Sequence, residues 1–170
     1  EGSIFLISRS PLPMPNIQVH AFESTADAAW AAQVMAESEP WATFGTGYER
    51  SLNLLSNASR ERYLATVAGE RAGFLTISMQ GAFVGYVQLL GVAPELRGRG
   101  VGTALIEFAE RRIFRETPNV FICVSDFNQR GQAFYEKMGY RKVGELADFI
   151  IAGHAEILLR KSTGPLRGRA

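Results

Sequence analysis

Three glycines on alternate positions, Gly98, Gly100 and Gly102, separate an apolar run that ends at Val92 from a helical pattern. Glycine has no Cβ, so the backbone N–H groups of such a loop can converge on an anion. A helix that begins near Gly100 also directs the positive end of its dipole to the same place. The segment therefore predicts an anion-binding loop between a strand and a helix.

The side chains around these glycines narrow the kind of loop. Arg97 and Arg99 supply charge and donors for phosphate oxygens. A P-loop would need Lys-Ser/Thr after its last glycine, and a dinucleotide fingerprint would need glycine or alanine at Thr103, directly after its strand. A plain glycine-rich turn with two solvated arginines is the simpler alternative, but it explains one glycine at a helix start rather than three.

Hydrophobic periodicity predicts strands and helices along the rest of the chain. The predicted strands are 17–22, 63–68, 72–78, 82–92, 120–124, 140–144 and 154–160, and the predicted helices are 24–36, 48–58, 100–115 and 128–138. Turns are expected at 69–71 and 80–81, whereas 146–153 has no clear assignment. This order predicts an α+β fold with one mixed sheet of about six to seven strands and about four helices.

Length and composition predict a single domain, and the net charge and the cysteine count limit its partners and its compartment. The chain has 170 residues, of which 46% are hydrophobic and 21% charged, and its formal net charge is +1. Because this net charge is so small, we expect the protein to bind neither nucleic acid nor an anionic membrane. The single cysteine, Cys123, permits no internal disulfide and favours the cytoplasm. We expect a domain over residues 17–161, an N-terminal arm over 1–16 whose native origin is open, and a basic tail over 162–170.

Two segments resemble known motifs. The stretch from Val92 to Leu105 resembles the acetyl-CoA motif of the GNAT family of N-acyltransferases, Gln/Arg-x-x-Gly-x-Gly/Ala, through Arg97, Gly100 and Gly102. The stretch Asn-x-x-Gly-x-x-Phe-Tyr-x-x-x-Gly-Tyr over 128–140 resembles the second motif of that family. Both motifs occur in the order found in the family, so the resemblance covers nearly the whole domain.

The resemblance implies a mostly antiparallel, twisted sheet that splays between its fourth and fifth strands, with the pantetheine arm of acetyl-CoA in the gap. It implies that the N–H of Val92, with that of Leu90, polarises the thioester carbonyl. Asn128 would bind the pantetheine arm, cap a helix, or do both. The implied donor-binding residues are Leu90, Val92, Arg97, Gly98, Arg99, Gly100, Val101, Gly102, Thr103, Asn128 and Tyr135.

Tyr135 is implied as the general acid, because a phenol with a pKa of about 10 stays protonated near a leaving thiolate. The alternative for Tyr135 is a helix aromatic that packs on the sheet. No general base is evident, since the strand positions expected at the cleft are Tyr86, Gln88, Cys123 and Ser125. We therefore expect ordered water first, and otherwise Glu39 or Asp126.

The acceptor side is less clear from the sequence. Glu39, Trp41 and Gln88 are candidates for binding the amine, and Phe44 and Tyr48 lie nearby. These aromatic residues could equally anchor the loop in the core. His20 and His154 show no pattern that suggests a partner, and Cys123 is expected to be a small core residue.

The function implied is direct transfer of an acetyl group from acetyl-CoA to a primary amine of a small molecule or an amino acid, without a metal. Two alternatives stay open. One is acetylation of a protein N-terminus or lysine, and the other is a non-catalytic acyl-CoA sensor. The resemblance is also compatible with a homodimer.

Overall fold

The computed structural model describes residues 16–167, and within them seven strands and four α-helices. In chain order the elements are β1 (Ile17–Ala21), α1 (Thr25–Ala36), α2 (Tyr48–Leu55), β2 (Glu61–Val67), β3 (Glu70–Ser78), β4 (Tyr86–Val92), α3 (Val101–Ile113), β5 (Asn119–Ser125), α4 (Gln129–Lys137), β6 (Arg141–Ala147) and β7 (Ala155–Ser162). The expected N-terminal arm lies outside the described residues except for Asn16, and the last three residues of the expected tail also lie outside them.

All seven strands form one sheet in the order β1-β2-β3-β4-β5-β7-β6. Every neighbouring pair is antiparallel except β4 and β5, which run parallel. That parallel pair is joined only at Tyr86–Phe121 and Val87–Ile122, and beyond these residues the two strands separate. The expected mixed sheet and the expected splay between the fourth and fifth strands are both confirmed.

Helices cover the sheet on both faces. The larger core lies between the sheet and α3 with α4, and it contains Leu105, Ile106, Ile122 and Ile157. The smaller core packs α1 and α2 against the other face around Phe74. Each fully buried aliphatic side chain contributes about 1.5–3 kcal/mol to folding, so these two layers hold the sheet between them.

A bulge in β4 changes the face of the sheet to which the side chains of that strand point. Thr76 of β3 pairs with Leu89, whereas the next residue, Ile77, pairs with Val87, so Gln88 is an extra residue in β4. As a result, Val87 packs in the larger core while Leu89 packs in the smaller one. The bulge lies directly after the last residue that joins β4 to β5, which is where the gap between them begins.

One expected turn lies elsewhere than predicted, and another is longer than predicted. The hairpin between β2 and β3 turns at Ala68 and Gly69, both with positive φ (51° and 85°), rather than at 69–71. The segment 82–85 is not part of a strand, as had been predicted, because the chain turns at Gly81 and Gly85 with φ of 85° and 87°. A Cβ at Gly85 would lie 2.5 Å from the Asn119 carbonyl oxygen, so this turn packs directly on β5.

The second helix is shorter than predicted. It ends at Leu55 rather than at residue 58. Beyond it, the Asn57 side chain accepts a hydrogen bond from the Ser59 N–H at 3.0 Å, and such a turn competes with a further helical turn. In the part of the chain that the structure describes, none of the helices is both long and apolar enough to cross a membrane.

Candidate active site

A cavity of about 520 Å³ opens where β4 and β5 separate, and most of the predicted site residues meet there. The lining includes the predicted residues Glu39, Trp41, Leu90, Val92, Arg97, Gly98, Gly100, Gly102, Thr103, Asn128 and Tyr135. It also includes Pro40, Gly91, Arg130, Gly131 and Phe134, to which sequence analysis gave no site role. Arg99, Val101 and Gln88 do not line the cavity.

The glycine-rich loop presents backbone donors to this cavity. Gly98 and Gly100 adopt φ of 77° and 86°, a conformation that glycine adopts without strain. Gly100 is the N-cap of α3, and no side chain caps the helix in this structure. The first turn of α3 therefore leaves backbone N–H groups, among them those of Gly102 and Thr103, available for an anion at the positive end of the helix.

Val101 contributes differently from its neighbours. Its side chain is 1% exposed and packs in the larger core, so it can act on a ligand only through its backbone N–H. Arg99 is exposed and lies outside the lining. Arg130, in the first turn of α4, lies in the lining instead and was missed. The signal for it was a basic residue two positions after the predicted N-cap Asn128.

Arg97 has a structural partner on each side. Its Nε donates to the Val92 carbonyl oxygen at 3.1 Å, and its Nη2 donates to Ser38 Oγ at 2.9 Å. The guanidinium therefore connects the end of β4 with the loop that follows α1, in addition to lining the cavity. Sequence analysis assigned Arg97 only a role in anion binding.

The free edge of β4 faces the gap. Ala93 donates its N–H to the Ala72 carbonyl oxygen at 2.9 Å, so these two residues form a hydrogen-bonded pair of β3 and β4. The adjacent pair, Val92 and Gly73, is then a non-hydrogen-bonded pair, in which the N–H and C=O groups of each strand point away from the other strand. By the same alternation, the N–H groups of Val92 and Leu90 both point towards the separated β5. The role of these two N–H groups as oxyanion donors stays a prediction.

Asn128 caps α4. Its Oδ1 accepts the Gly131 N–H at 2.9 Å. A Cβ at position 131 would lie 2.6 Å from Asn128 Nδ2, so the capping side chain occupies the space that a larger residue would need. The capping alternative is therefore correct for Asn128, and its amide also lines the cavity.

Tyr135 is 8% exposed and lines the cavity from α4. Its ring packs edge-on against Phe134 at 5.1 Å and against Tyr140 at 5.8 Å between ring centroids. Burial raises the pKa of the Tyr135 phenol above its usual value of 10.0. The phenol therefore remains protonated at neutral pH and retains a proton to donate.

The loop over 38–47 covers the other side of the cavity. Trp41 packs against Phe74, with 6.0 Å between ring centroids, so it both anchors the loop and lines the cavity. Phe44 contacts Phe127 after β5, at 5.8 Å between centroids. Glu39 accepts the Thr43 N–H at 3.2 Å and lines the cavity as well. The loop thus reaches across to the β5 side.

Residues 22–140 match the family model described as Acetyltransferase (GNAT) family. The match covers well over half of the chain, and it includes both motif segments and every cavity-lining residue. The chain belongs to the GNAT acetyltransferase family. It is therefore an acetyl-CoA-dependent acyltransferase, as the two motifs implied.

Solved structures of acetyltransferases share the fold. Aminoglycoside 6'-acetyltransferase type Ii matches with a TM-score of 0.71 at 21% identity, over 89% of this chain and 99% of that one. An aminoglycoside 6'-N-acetyltransferase complexed with coenzyme A gives 0.69 at 17%, over 89% and 99%. The ribosomal-protein-S18-alanine N-acetyltransferase from Escherichia coli gives 0.69 at 16%, over 91% and 98%.

In this GNAT protein, His154 has a partner that its sequence pattern did not indicate. His154 Nδ1 lies 3.0 Å from Asp126 Oδ1, and Asp126 Oδ2 accepts the Ala155 N–H at 3.0 Å. The bonds from Ala155 and His154 hold the pKa of Asp126 below its usual value. His154 also packs against Phe127, at 4.9 Å between centroids. Chain folding creates this pair from residues that are distant in sequence. By contrast, the side chain of the half-buried His20 makes its polar contacts with the sequence neighbours Ala21 and Glu23.

Cys123 is half-buried rather than a core residue. It lies on the β5 face opposite to Ile122 and Val124. Burial raises the pKa of the Cys123 thiol, and the Tyr86 hydrogen bond offsets part of this shift. The thiol is therefore protonated and unreactive at neutral pH.

One buried carboxylate near the gap was not predicted from the sequence. Glu156 of β7 is 6% exposed and pairs with Ser125 of β5, whose Oγ donates to Glu156 Oε1 at 2.6 Å. The sequence signal was an acidic residue inside the apolar run Ala-Glu-Ile-Leu-Leu at 155–159. It was missed because local sequence does not show that β7 lies next to β5, which is what brings Glu156 near the gap.

Proposed function

We propose that this protein, in the cytoplasm, transfers the acetyl group of acetyl-CoA to the primary amine of a small molecule or an amino acid. The observation that carries the proposal is that one cavity, at the gap between β4 and β5, is lined both by the open N-terminus of α3 and by Tyr135. The N-terminus of α3 is suited to an anionic donor, and Tyr135 is suited to a leaving group that needs a proton.

The chain's residues fit the donor. The backbone N–H groups of the glycine-rich loop suit the pyrophosphate, and Arg130 adds a cation at the same cavity. The free edge of β4 suits the amides of the pantetheine arm, which can pair with it as an added strand would. The donor supplies an acetyl thioester, whose carbonyl carbon accepts the nucleophile.

The chemistry needs a polarised carbonyl and a proton donor. The N–H of Val92, with that of Leu90, would donate to the thioester oxygen as negative charge develops there. The neutral amine forms the new C–N bond as the C–S bond breaks, and the electron pair of that bond goes to sulfur. Tyr135 would give its proton to the sulfur and recover one from the amide nitrogen, which must lose a proton.

The loop on the acceptor side favours a small amine over a protein. A peptide acceptor needs an open groove, whereas the 38–47 loop lies against the cavity and is joined through the Phe44–Phe127 contact to the segment after β5. Trp41 and Glu39 line that side, and an aromatic face with a carboxylate suits a cationic amine. The similar structures include enzymes named for aminoglycosides and for a ribosomal protein, so the choice rests on this loop.

The test is an acceptor screen. The purified protein is incubated with acetyl-CoA and with aminoglycosides, polyamines, amino acids or N-terminal peptides. Thiol release and mass spectrometry of the products are then followed together. We expect acetylation of one or more small amines. Turnover with peptides alone would make the protein an N-terminal acetyltransferase instead, and binding of acetyl-CoA without turnover on any amine would make it a sensor.

A further inference from the structure

Glu156 is a carboxylate in a place where burial is costly. It lies on β7 opposite Ser125, the last residue of β5, at the end of the strand that has separated from β4. The Ser125 hydroxyl is the side-chain group that hydrogen-bonds to it among residues 16–167. Within the same residues, the second oxygen of Glu156, Oε2, accepts no hydrogen bond from a side chain. Oε2 is not fully buried either, so it keeps contact with solvent. An ionisable group half-satisfied in this way suits a chemical role better than a structural one.

The carboxylate lies on the acceptor face of the sheet. Ile122, Val124 and Ile157 point into the larger core under α3 and α4, so their neighbours Ser125 and Glu156 point to the opposite face. That opposite face is the one on which α1 and α2 pack and from which the 38–47 loop extends.

Tyr86 lies on the same face of the sheet as Glu156. It is in the part of β4 that still pairs with β5, and its neighbour Val87 packs in the larger core, so the Tyr86 side chain points to the opposite face. Burial raises the pKa of the Tyr86 phenol, and Cys123, Glu156 and Tyr135 each raise it further. Tyr86 and Glu156 thus face the same side of the sheet where the gap begins, and Tyr135 lines that gap from α4.

The surroundings of Glu156 suit a base. Burial raises the pKa of Glu156 and the nearby Asp126 charge raises it further, while the Ser125 hydrogen bond offsets part of the shift. A carboxylate shifted towards neutrality accepts protons more readily at physiological pH. The ionisable or polar groups around it are Tyr86 on β4, Cys123, Ser125 and Asp126 on or after β5, and His154 before β7, while β6 presents Leu146.

We propose that Glu156 is the general base of the reaction, which takes a proton from the acceptor ammonium directly or through a water molecule. This inference rests on the proposed function. The ammonium loses one proton to the carboxylate and becomes the neutral amine, whose lone pair forms the C–N bond. The carboxylic acid then releases that proton to solvent. Ser125 is a positioning residue, because it fixes the carboxylate that acts.

The other two candidates for the base are less suitable. Both oxygens of Asp126 are engaged, one by His154 and one by the Ala155 N–H, and its pKa lies below the usual value. Glu39 is exposed and accepts the Thr43 N–H in the turn of the loop. The role of base therefore goes to Glu156 rather than to ordered water alone.

The first test replaces the carboxylate by its amide. Glu156→Gln keeps the shape and the acceptor for Ser125, so we expect kcat to fall about 100-fold or more while the Kd for coenzyme A changes less than about twofold. In the pH profile of the parent, kcat/KM should fall at low pH as Glu156 becomes protonated. This acid limb of the profile should be absent from the variant. Glu145→Gln, at an exposed position on β6, is the matched control and should retain parental kinetics.

The second test shifts the acid limb of the pH profile without removing the Glu156 carboxylate. Ser125→Ala deletes the hydrogen bond that lowers the pKa of Glu156, so the limb should move to higher pH. A merely structural serine would leave the limb in place. If the parent acetylates an amine and Glu156→Gln matches it, the role of Glu156 is overturned and the proposed function stands. If the parent acetylates no amine, both proposals fail.

Discussion

Arg97 and Ser38 are joined by a hydrogen bond of 2.9 Å, which links the glycine-rich loop to the loop on the acceptor side. The same guanidinium donates to the Val92 carbonyl oxygen, and Ser38 is buried at 3% exposure. One side chain therefore sets the distance between the two walls of the cavity.

Arg97→Lys should weaken acceptor binding more than donor binding, because lysine keeps the charge but cannot span both partners. Loss of one such hydrogen bond is worth roughly 0.5–1.5 kcal/mol, so we expect the KM for the amine to rise about 3- to 10-fold. Steady-state kinetics with calorimetry of coenzyme A separates the two effects. Arg99→Lys, outside the lining, is the control, and equal effects of both variants would contradict the link.

Gly100→Asp should impair binding of acetyl-CoA by placing a carboxylate at the positive end of α3. Position 100 has φ of 86°, so any side chain adds strain there. Asparagine tolerates this conformation better than most residues and carries no charge, so Gly100→Asn is the matched control. We expect the Kd by calorimetry to be at least about tenfold higher for aspartate than for asparagine. Equal affinities would rule out an anion at this position.

Tyr135→Phe should lower kcat about 100-fold or more and leave the affinity for coenzyme A within about twofold, because only the proton donor is lost. Tyr140→Phe removes the hydroxyl of the neighbouring tyrosine and should keep most of the activity. Since burial raises the pKa of Tyr135, the parent should show no loss of this acid as the pH approaches 10. Thiol release at parental rates by Tyr135→Phe would exclude Tyr135 from the mechanism.

Asp27 should stabilise the fold in a pH-dependent way. Burial raises the pKa of this carboxyl, but hydrogen bonds from the Glu23 and Ser24 N–H groups and from Arg71 lower it on balance. Its contribution is therefore fully present above the unfolded-state pKa of about 3.9 and is lost as the pH falls through the lower folded-state value. Asp27→Asn should reduce the free energy of unfolding by about 2 kcal/mol at pH 7.

Urea unfolding at several pH values checks this contribution. The difference between the parent and Asp27→Asn should shrink below about pH 4, where the carboxyl of the unfolded parent takes up a proton before that of the folded parent. Glu70→Gln, at an exposed position on β3, should match the parent throughout. A constant difference down to pH 2 would show that shape, and not charge, is responsible.

Local patterns predicted most elements of the fold. The three- and four-residue spacing after Gly100 predicted α3, and the apolar run at 120–124 predicted β5, because both depend on which side chains one element buries. The segment 82–85 was predicted as strand since its residues are compatible with one. Contact of Gly85 with Asn119 and Ile113 instead makes it a turn, and that contact depends on residues more than 25 positions away.

By itself, the sequence determined the donor side of this protein. Glycine spacing, the helix start and the second motif are short-range features, so their chemistry could be predicted from neighbouring residues. Only the tertiary structure decided the acceptor side. Sheet order places β7 next to β5, which brings Glu156 to Ser125 and His154 to Asp126. Strand pairing between distant segments depends on the packing of the whole core, and local sequence does not encode which side chains it brings into contact.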